Sequence, residues 1–141
     1  MDSKLDADWE RLYLVHAYRA AGRYREAFTE LEILRASVAA NGRRALEVDI
    51  PQLRGELLLG SNPLKKAEGE EAFLEAIEIA RSQWAKSMEL IATISLARLL
   101  AEQGRRYEAR KMLGEIYNWF TEGFDTADLK DAKALLEELG G

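Results

Sequence analysis

A ten-residue pattern occurs twice in this chain and constrains its fold more than any other sequence feature. The pattern Gly-Arg-x-x-Glu-Ala-x-x-x-Leu covers residues 22–31 and returns over residues 104–113. Each copy lies between two stretches whose apolar residues recur with helical spacing. A pattern that returns in the same context indicates that one supersecondary unit has been reused, so we expect a helical repeat protein.

The composition favours an all-α fold. Only two prolines, Pro51 and Pro63, occur in 141 residues, while Leu, Ala, Glu and Arg recur throughout. Because 48% of the residues are hydrophobic, the chain is apolar enough to bury a core, and we expect a single domain over residues 1–141.

Apolar periodicity and turn residues divide the chain into about seven helices, arranged as three hairpins and a cap. Gly22 and Gly104 are expected in helix-ending turns, because glycine readily adopts left-handed backbone. The third helix is predicted over about residues 45–59, with Pro51 either kinking it or lying in its first turn. The sixth is predicted over 106–121. The predicted hairpins cover residues 6–42, 45–83 and 86–122, and the capping helix covers 125–139.

Three alanines occupy matching places in the second helices of the hairpins. They are Ala27, Ala72 and Ala109, separated by 45 and then 37 residues. We expect each to be buried where two helices approach closely, because a larger side chain would push the pair apart.

The arrangement resembles the tetratricopeptide repeat family. Its pattern is partly present in Trp9-x2-Leu12, Gly55-x2-Leu58, Ala97-x2-Leu100 and Ala109-x3-Leu113, although the terminal proline is missing from each unit. The resemblance implies a right-handed α-solenoid of three hairpins with a C-terminal capping helix. It also implies a concave groove, lined by the first helix of each hairpin, that receives a peptide or a partner helix.

A second likeness covers about residues 46–139. Segments 51–59, 76–81, 92–99 and 119–130 resemble the C-terminal repeat region of bacterial multidomain signalling proteins, in which a nucleotide cyclase or DNA-binding domain precedes an ATPase domain. The likeness implies a role in bacterial signalling or regulation. It does not extend to cyclase or ATPase chemistry, because neither catalytic domain fits within this chain.

By register with the family pattern, a partner-binding groove would carry a mixture of arginine, carboxylate and aliphatic side chains. An alternative interpretation is that Leu12, Ile91 and Ile94 pack between the repeats instead of contacting a partner. The predicted groove residues are Trp9, Leu12, His16, Arg19, Asp49, Gln52, Glu56, Ile91, Ile94, Arg98 and Glu102.

Several classes of function have no support in the sequence. A single histidine, His16, and the absence of cysteine argue against a metal cluster or a thiolate site. Neither common phosphate-binding glycine loop is present, so no cofactor and no enzymatic activity are predicted. A net charge of −5 argues against nucleic acid or an anionic membrane as the main partner. The lack of cysteine also fits a reducing cytoplasm.

Aromatic and paired basic residues receive structural interpretations. Trp84, Trp119 and Phe120 have helical spacing and are expected to pack in the core or between repeats. The pair Arg43-Arg44 is expected at a helix end, where cations complement the helix dipole and keep loops soluble.

These observations lead to two functional hypotheses. The first is a non-enzymatic module that binds a peptide or protein partner in the concave groove. The alternative is a structural module through which a larger enzyme or regulator self-associates into a homo-oligomer.

Overall fold

The computed structural model describes residues 3–140, and the side chains of residues 7–140. This part of the chain forms seven α-helices and a short 3-10 helix at Arg44–Leu46, with no strand, which confirms the predicted all-α class. The helices are α1 (Ser3–Ala20), α2 (Tyr24–Asn41), α3 (Asp49–Ser61), α4 (Lys66–Ser82), α5 (Lys86–Glu102), α6 (Arg106–Tyr117) and α7 (Ala127–Gly140).

Two helix boundaries differ from the predicted ones. Helix α3 begins at Asp49 instead of residue 45, and Pro51 lies in its first turn, where a missing N–H costs no intrahelical hydrogen bond. Helix α6 ends at Tyr117, four residues before the predicted end at Thr121. There the amides of Trp119 and Phe120 donate to carbonyls only three residues earlier, so the chain tightens and leaves the helix.

The repeated sequence pattern builds the same turn twice. Gly22 and Gly104 have φ angles of 74° and 78°. In both turns the amide after the glycine donates to the carbonyl five residues earlier, at 2.8 and 2.9 Å. This is the Schellman arrangement, which requires left-handed backbone at the glycine position.

The remaining residues of the pattern also have matching roles. Arg105 pairs with Glu108 at 2.6 Å, and Arg23 pairs with Glu26 in the same i,i+3 relation. In each pair the hydrogen bond from arginine holds the pKa of the carboxyl below its usual value. The alanines that follow these glutamates, Ala27 and Ala109, are fully buried. Ala72, the matching alanine of the middle hairpin, is 1% exposed, so the predicted burial of all three alanines is confirmed.

The chain folds as two compact units, Met1–Ala72 and Phe73–Gly141. In the first unit, α1 packs on α2 and α2 packs on α3. In the second, α5 packs on α6, and α7 packs on both. The single domain over residues 1–141 and the solenoid of three hairpins stay predictions.

The cores of both units are mainly aliphatic. The first is built on α1, α2 and α3, and the 3-10 helix contributes Leu46. In the second, Leu90, Leu96, Leu100 and Leu113 are at most 2% exposed. Helix α7 buries one apolar face in that unit, as expected of an amphipathic covering helix. The buried residues of this face are Leu129, Ala132, Leu135 and Leu139.

A buried ion pair lies inside the first unit. Arg43 Nε is 2.8 Å from Asp8 Oδ2, and the two side chains are only 12% and 3% exposed. Ser37 Oγ donates a hydrogen bond to Asp8 Oδ1 at 2.7 Å. Arg43 follows the end of α2, as predicted. The prediction that its side chain keeps a loop soluble is wrong, because it is turned inward and pairs with Asp8 of α1.

Candidate functional site

Three polar residues of the predicted groove meet on one face of the first unit, between α1 and α3. Arg19 Nη1 lies 3.6 Å from Glu56 Oε2, and Gln52 Nε2 donates to Glu56 Oε1 at 3.1 Å. Gln52 and Glu56 are one helical turn apart, so they share a face of α3. Because the Arg19 side chain is 43% exposed and that of Glu56 is 23% exposed, the ion pair is open to solvent.

Two more predicted residues extend this polar face. His16 is exposed on α1, and Asp49 is half-buried in the first turn of α3. Burial raises the pKa of the Asp49 carboxyl above its usual value, the nearby charge of His16 opposes that rise, and the neighbouring Glu56 adds to it. The charges of α1 and α3 therefore act on one another across this face.

The resulting face offers both signs of charge to a ligand. Arg19 and His16 supply donors, whereas Asp49 and Glu56 supply carboxylate acceptors. Such a face suits a peptide that carries charged or polar groups of its own, because an exposed Arg–Glu pair is weak and exchanges partners at little cost. We call the five residues His16, Arg19, Asp49, Gln52 and Glu56 the α1/α3 polar face.

The two apolar groove residues of the first helix have different surroundings. Leu12 is 5% exposed and lies in the core cluster of the first unit. Trp9 is 39% exposed and retains surface for a ligand. For Leu12 the structure favours the alternative interpretation, packing inside the fold.

The predicted groove residues of the second unit lie along α5. Ile94 is 5% exposed, which again favours packing, and Ile91 is half-buried. Arg98 and Glu102 are exposed, and within the described residues neither takes part in an ion pair. They lie one turn apart, so both project from the same side of α5.

Arg98 and Glu102 line a cleft of about 410 Å³ in the second unit. Arg106 also lines it, and its Nη2 donates to the backbone carbonyl of Glu138 at 2.8 Å, near the end of α7. This contact holds α7 at the cleft. The repeat register placed Arg98 and Glu102 on a binding surface, but nothing in the sequence indicated that α7 would wall it.

A second cavity in the same unit was not predicted from the sequence. It measures about 430 Å³ and lies where the loop between α6 and α7 meets the start of α5. Trp119 lines it and is 53% exposed, and Trp84 is 77% exposed. The expectation that these two residues pack in the core or between repeats is therefore wrong. Phe120, in the wall of the cavity, is half-buried. The sequence signal for the site was an unusual density of aromatic residues over 117–124.

Among residues 7–140, whose side chains the structure describes, no three or more His, Cys, Asp or Glu side chains are arranged to hold a metal ion. Within residues 3–140, no helix combines the length and the apolar character needed to cross a bilayer. Comparisons of the chain with protein-family models, with curated proteins and with solved structures found no significant match.

Proposed function

We propose that this protein is a non-enzymatic interaction module of the tetratricopeptide kind, which binds a peptide or protein partner through polar side chains on the first helix of each predicted hairpin, α1, α3 and α5. A cytoplasmic role in bacterial signalling or regulation is part of the proposal, on the resemblance of residues 46–139 to the repeat region of such proteins. The observation that carries the proposal is the α1/α3 polar face, on which Arg19, Gln52 and Glu56 meet across two helices.

The chemistry of this face supports peptide binding more than catalysis. Its charged groups are partly exposed and paired with one another, whereas a catalytic acid or base is usually held in a cleft with a strongly perturbed pKa. Binding of a partner would exclude water from Arg19 and Glu56 and strengthen their charge-assisted hydrogen bonds. Arg98 and Glu102 supply the same pair of charges on α5 and are free of ion pairs within the described residues.

The test is an affinity capture that compares three forms of the protein. Wild type is used beside Arg19→Ala/Arg98→Ala, which removes both predicted contact arginines, and beside Arg35→Ala/Arg110→Ala, which removes the same charge from exposed positions on α2 and α6. Bound proteins are quantified by mass spectrometry, and the leading one is purified for calorimetric titration.

We expect the partner to be retained by wild type and by the α2/α6 control, and to bind the Arg19/Arg98 variant about tenfold or more weakly. The melting temperatures of all three forms should agree closely, because these arginines are exposed. Equal loss of partner in both variants would show that only net charge matters. A large drop in melting temperature for the Arg19/Arg98 variant would make the two arginines structural.

Self-association is the second candidate function, and exposed apolar residues favour it. Leu64 is 90% exposed, Tyr107 is 79% exposed and Tyr13 is 68% exposed. Large apolar side chains that remain at the surface are available to pack against a second copy of the chain. Sedimentation velocity over a wide range of protein concentration tests this candidate: a mass that rises with concentration supports it, and a constant monomer mass argues against it.

A further inference from the structure

Trp84 occupies a backbone position that glycine fills in other helix-ending turns of this chain, among them the two turns of the repeated pattern. It follows α4 with a φ angle of 55°, while Gly22 after α1 and Gly104 after α5 have 74° and 78°. In the three turns the next amide donates to the carbonyl five residues earlier, at 2.9, 2.8 and 2.9 Å respectively. Left-handed backbone is costly for a residue with a side chain and nearly free of cost for glycine.

Burial of the indole does not compensate for this backbone strain. The Trp84 side chain is among the most exposed large apolar groups of the second unit, at 77%. A strained residue that gains little from packing points to a use of its side chain at the surface.

A lysine joins this indole to a second exposed tryptophan. Lys86 Nζ lies 5.1 Å from the ring centroid of Trp84 and 5.6 Å from that of Trp119. The same ammonium is 3.3 Å from Oε1 of the buried Glu89, whose other oxygen pairs with Arg81 at 2.9 Å. The ion pair with Glu89 positions the Lys86 ammonium, and its two cation–π contacts link the indoles of Trp84 and Trp119.

Trp119 belongs to the wall of the 430 Å³ cavity. The ring of Phe120 meets it edge to face, with centroids 5.2 Å apart, and Leu90 and Leu129 are the buried aliphatic residues of the lining. The cavity is therefore aromatic and aliphatic within, and large enough for one long side chain.

The rim of the cavity is acidic. Glu122 and Asp128 line it, and within the described residues neither takes part in an ion pair. The lining contains no lysine or arginine; its other polar members are the hydroxyl residues Ser87, Thr121 and Thr126. The Lys86 ammonium beside the Trp119 ring is paired with Glu89, whereas Glu122 and Asp128 have no ion-pair partner within the described residues. The cavity therefore carries negative charge that complements a cation with a planar or apolar body.

We propose that this cavity, together with the Trp84 indole, docks an arginine-bearing segment of a partner protein, whose guanidinium stacks on the aromatic wall and pairs with Glu122 and Asp128. Arginine fits better than a compact ammonium, because its planar group combines ring stacking with several directed N–H donors. The net charge of −5 also favours a basic partner. This site lies in the second unit and does not rest on the α1/α3 polar face, so the two proposals succeed or fail separately.

The experiment uses the full chain and two short peptides. One is acetyl-Ala-Leu-Arg-Ala-amide, and the other carries citrulline, which has nearly the same shape but no charge, in place of arginine. Binding is followed by proton–nitrogen correlation NMR, read at the indole N–H signals of Trp84 and Trp119 and at the amides of residues 119–129. We expect the arginine peptide to bind with a Kd of about 1 mM or tighter and the citrulline peptide about tenfold more weakly.

Charge-matched variants locate the binding. The variant Glu122→Gln/Asp128→Asn should bind the arginine peptide about tenfold more weakly than wild type does. The control Glu137→Gln/Asp131→Asn removes the same charge from exposed positions of α7 and should bind the peptide as wild type does. Trp84→Gly should weaken binding while raising the melting temperature, since it relieves the strained turn. If Trp84 served only the fold, peptide binding and the melting temperature would not change in opposite directions.

Three results would overturn the proposal. The first is equal binding of both peptides, and the second is equal binding by the cavity variant and its α7 control. The third is a concentration-dependent dimer that Trp119→Ala abolishes, since a second copy of the chain would then occupy the cavity.

Discussion

Among single residues, Asp8 is the polar group that the first unit encloses most completely. Its two carboxylate oxygens meet Arg43 at 2.8 Å and Ser37 at 2.7 Å, and its side chain is 3% exposed. Bringing two charges out of water is costly, and their attraction repays the cost only while both are present. Removing either partner should therefore lower the free energy of unfolding by more than the intact pair contributes to it.

We expect Asp8→Asn to lower the free energy of unfolding by about 3 kcal/mol, because it removes the negative charge that pairs with the largely buried Arg43 guanidinium. The measurement is urea unfolding followed by far-ultraviolet circular dichroism. Glu32→Gln, which breaks the exposed Glu32–Arg35 pair, is the control and should leave the transition nearly unchanged. Similar midpoints for the two variants would contradict the buried-pair assignment.

Trp84 presents the opposite case, a residue that the fold would tolerate better as glycine. Replacing it with glycine removes the left-handed strain at φ 55°, so we expect Trp84→Gly to stabilise the protein by about 1 kcal/mol. Trp84→Ala keeps the Cβ that causes the strain and should give no such gain. Thermal unfolding of both variants distinguishes relief of backbone strain from loss of the ring contacts with Lys86.

At the scale of helices, the sequence pattern predicted several turns well because their cause is local. The glycines of the repeated pattern end α1 and α5 through backbone geometry that depends on only a few neighbouring residues. The helix start at Asp49 and the end at Tyr117 were not predicted, because apolar periodicity continues across these points. Local turns and proline position decided them instead.

Two glycines of the second unit allow a paired prediction on these elements. Gly104 lies in a left-handed turn, so Gly104→Ala should destabilise the protein by about 1 kcal/mol. Gly114 lies within α6, and an added Cβ there would have no atom within 4 Å, so Gly114→Ala should stabilise it by about 0.5–1 kcal/mol. Chemical denaturation of both variants provides the check, and shifts of the same sign would contradict the assigned backbone geometry.

At the scale of the whole molecule, acid stability reflects carboxyls whose pKa differs between the folded and unfolded states. At exposed Arg–Glu pairs the hydrogen bond from arginine lowers the pKa of the carboxyl, as for Glu26, Glu32 and Glu108. Asp49 differs, because burial raises its pKa. The folded protein therefore binds the Asp49 proton more tightly than the unfolded chain does.

It follows that Asp49 lowers the free energy of unfolding as the pH rises from its unfolded pKa, about 3.9, through its higher folded pKa. We expect Asp49→Asn to be more stable than wild type at neutral pH, and the difference to disappear below about pH 3.9. Urea unfolding at a series of pH values measures this. A variant that is less stable than wild type at neutral pH would show that attraction to His16 outweighs the cost of burial.

The sequence by itself determined the all-α class, the helix-ending turns at Gly22 and Gly104, and the burial of Ala27, Ala72 and Ala109. These features follow from periodicity and backbone preference, which act over a few residues. Only the tertiary structure decided that Asp8 meets Arg43, that Trp84 and Trp119 stay exposed, and that α7 walls the cleft beside Arg98. These outcomes depend on which residues distant in sequence come together when apolar faces pack, and no local pattern encodes that choice.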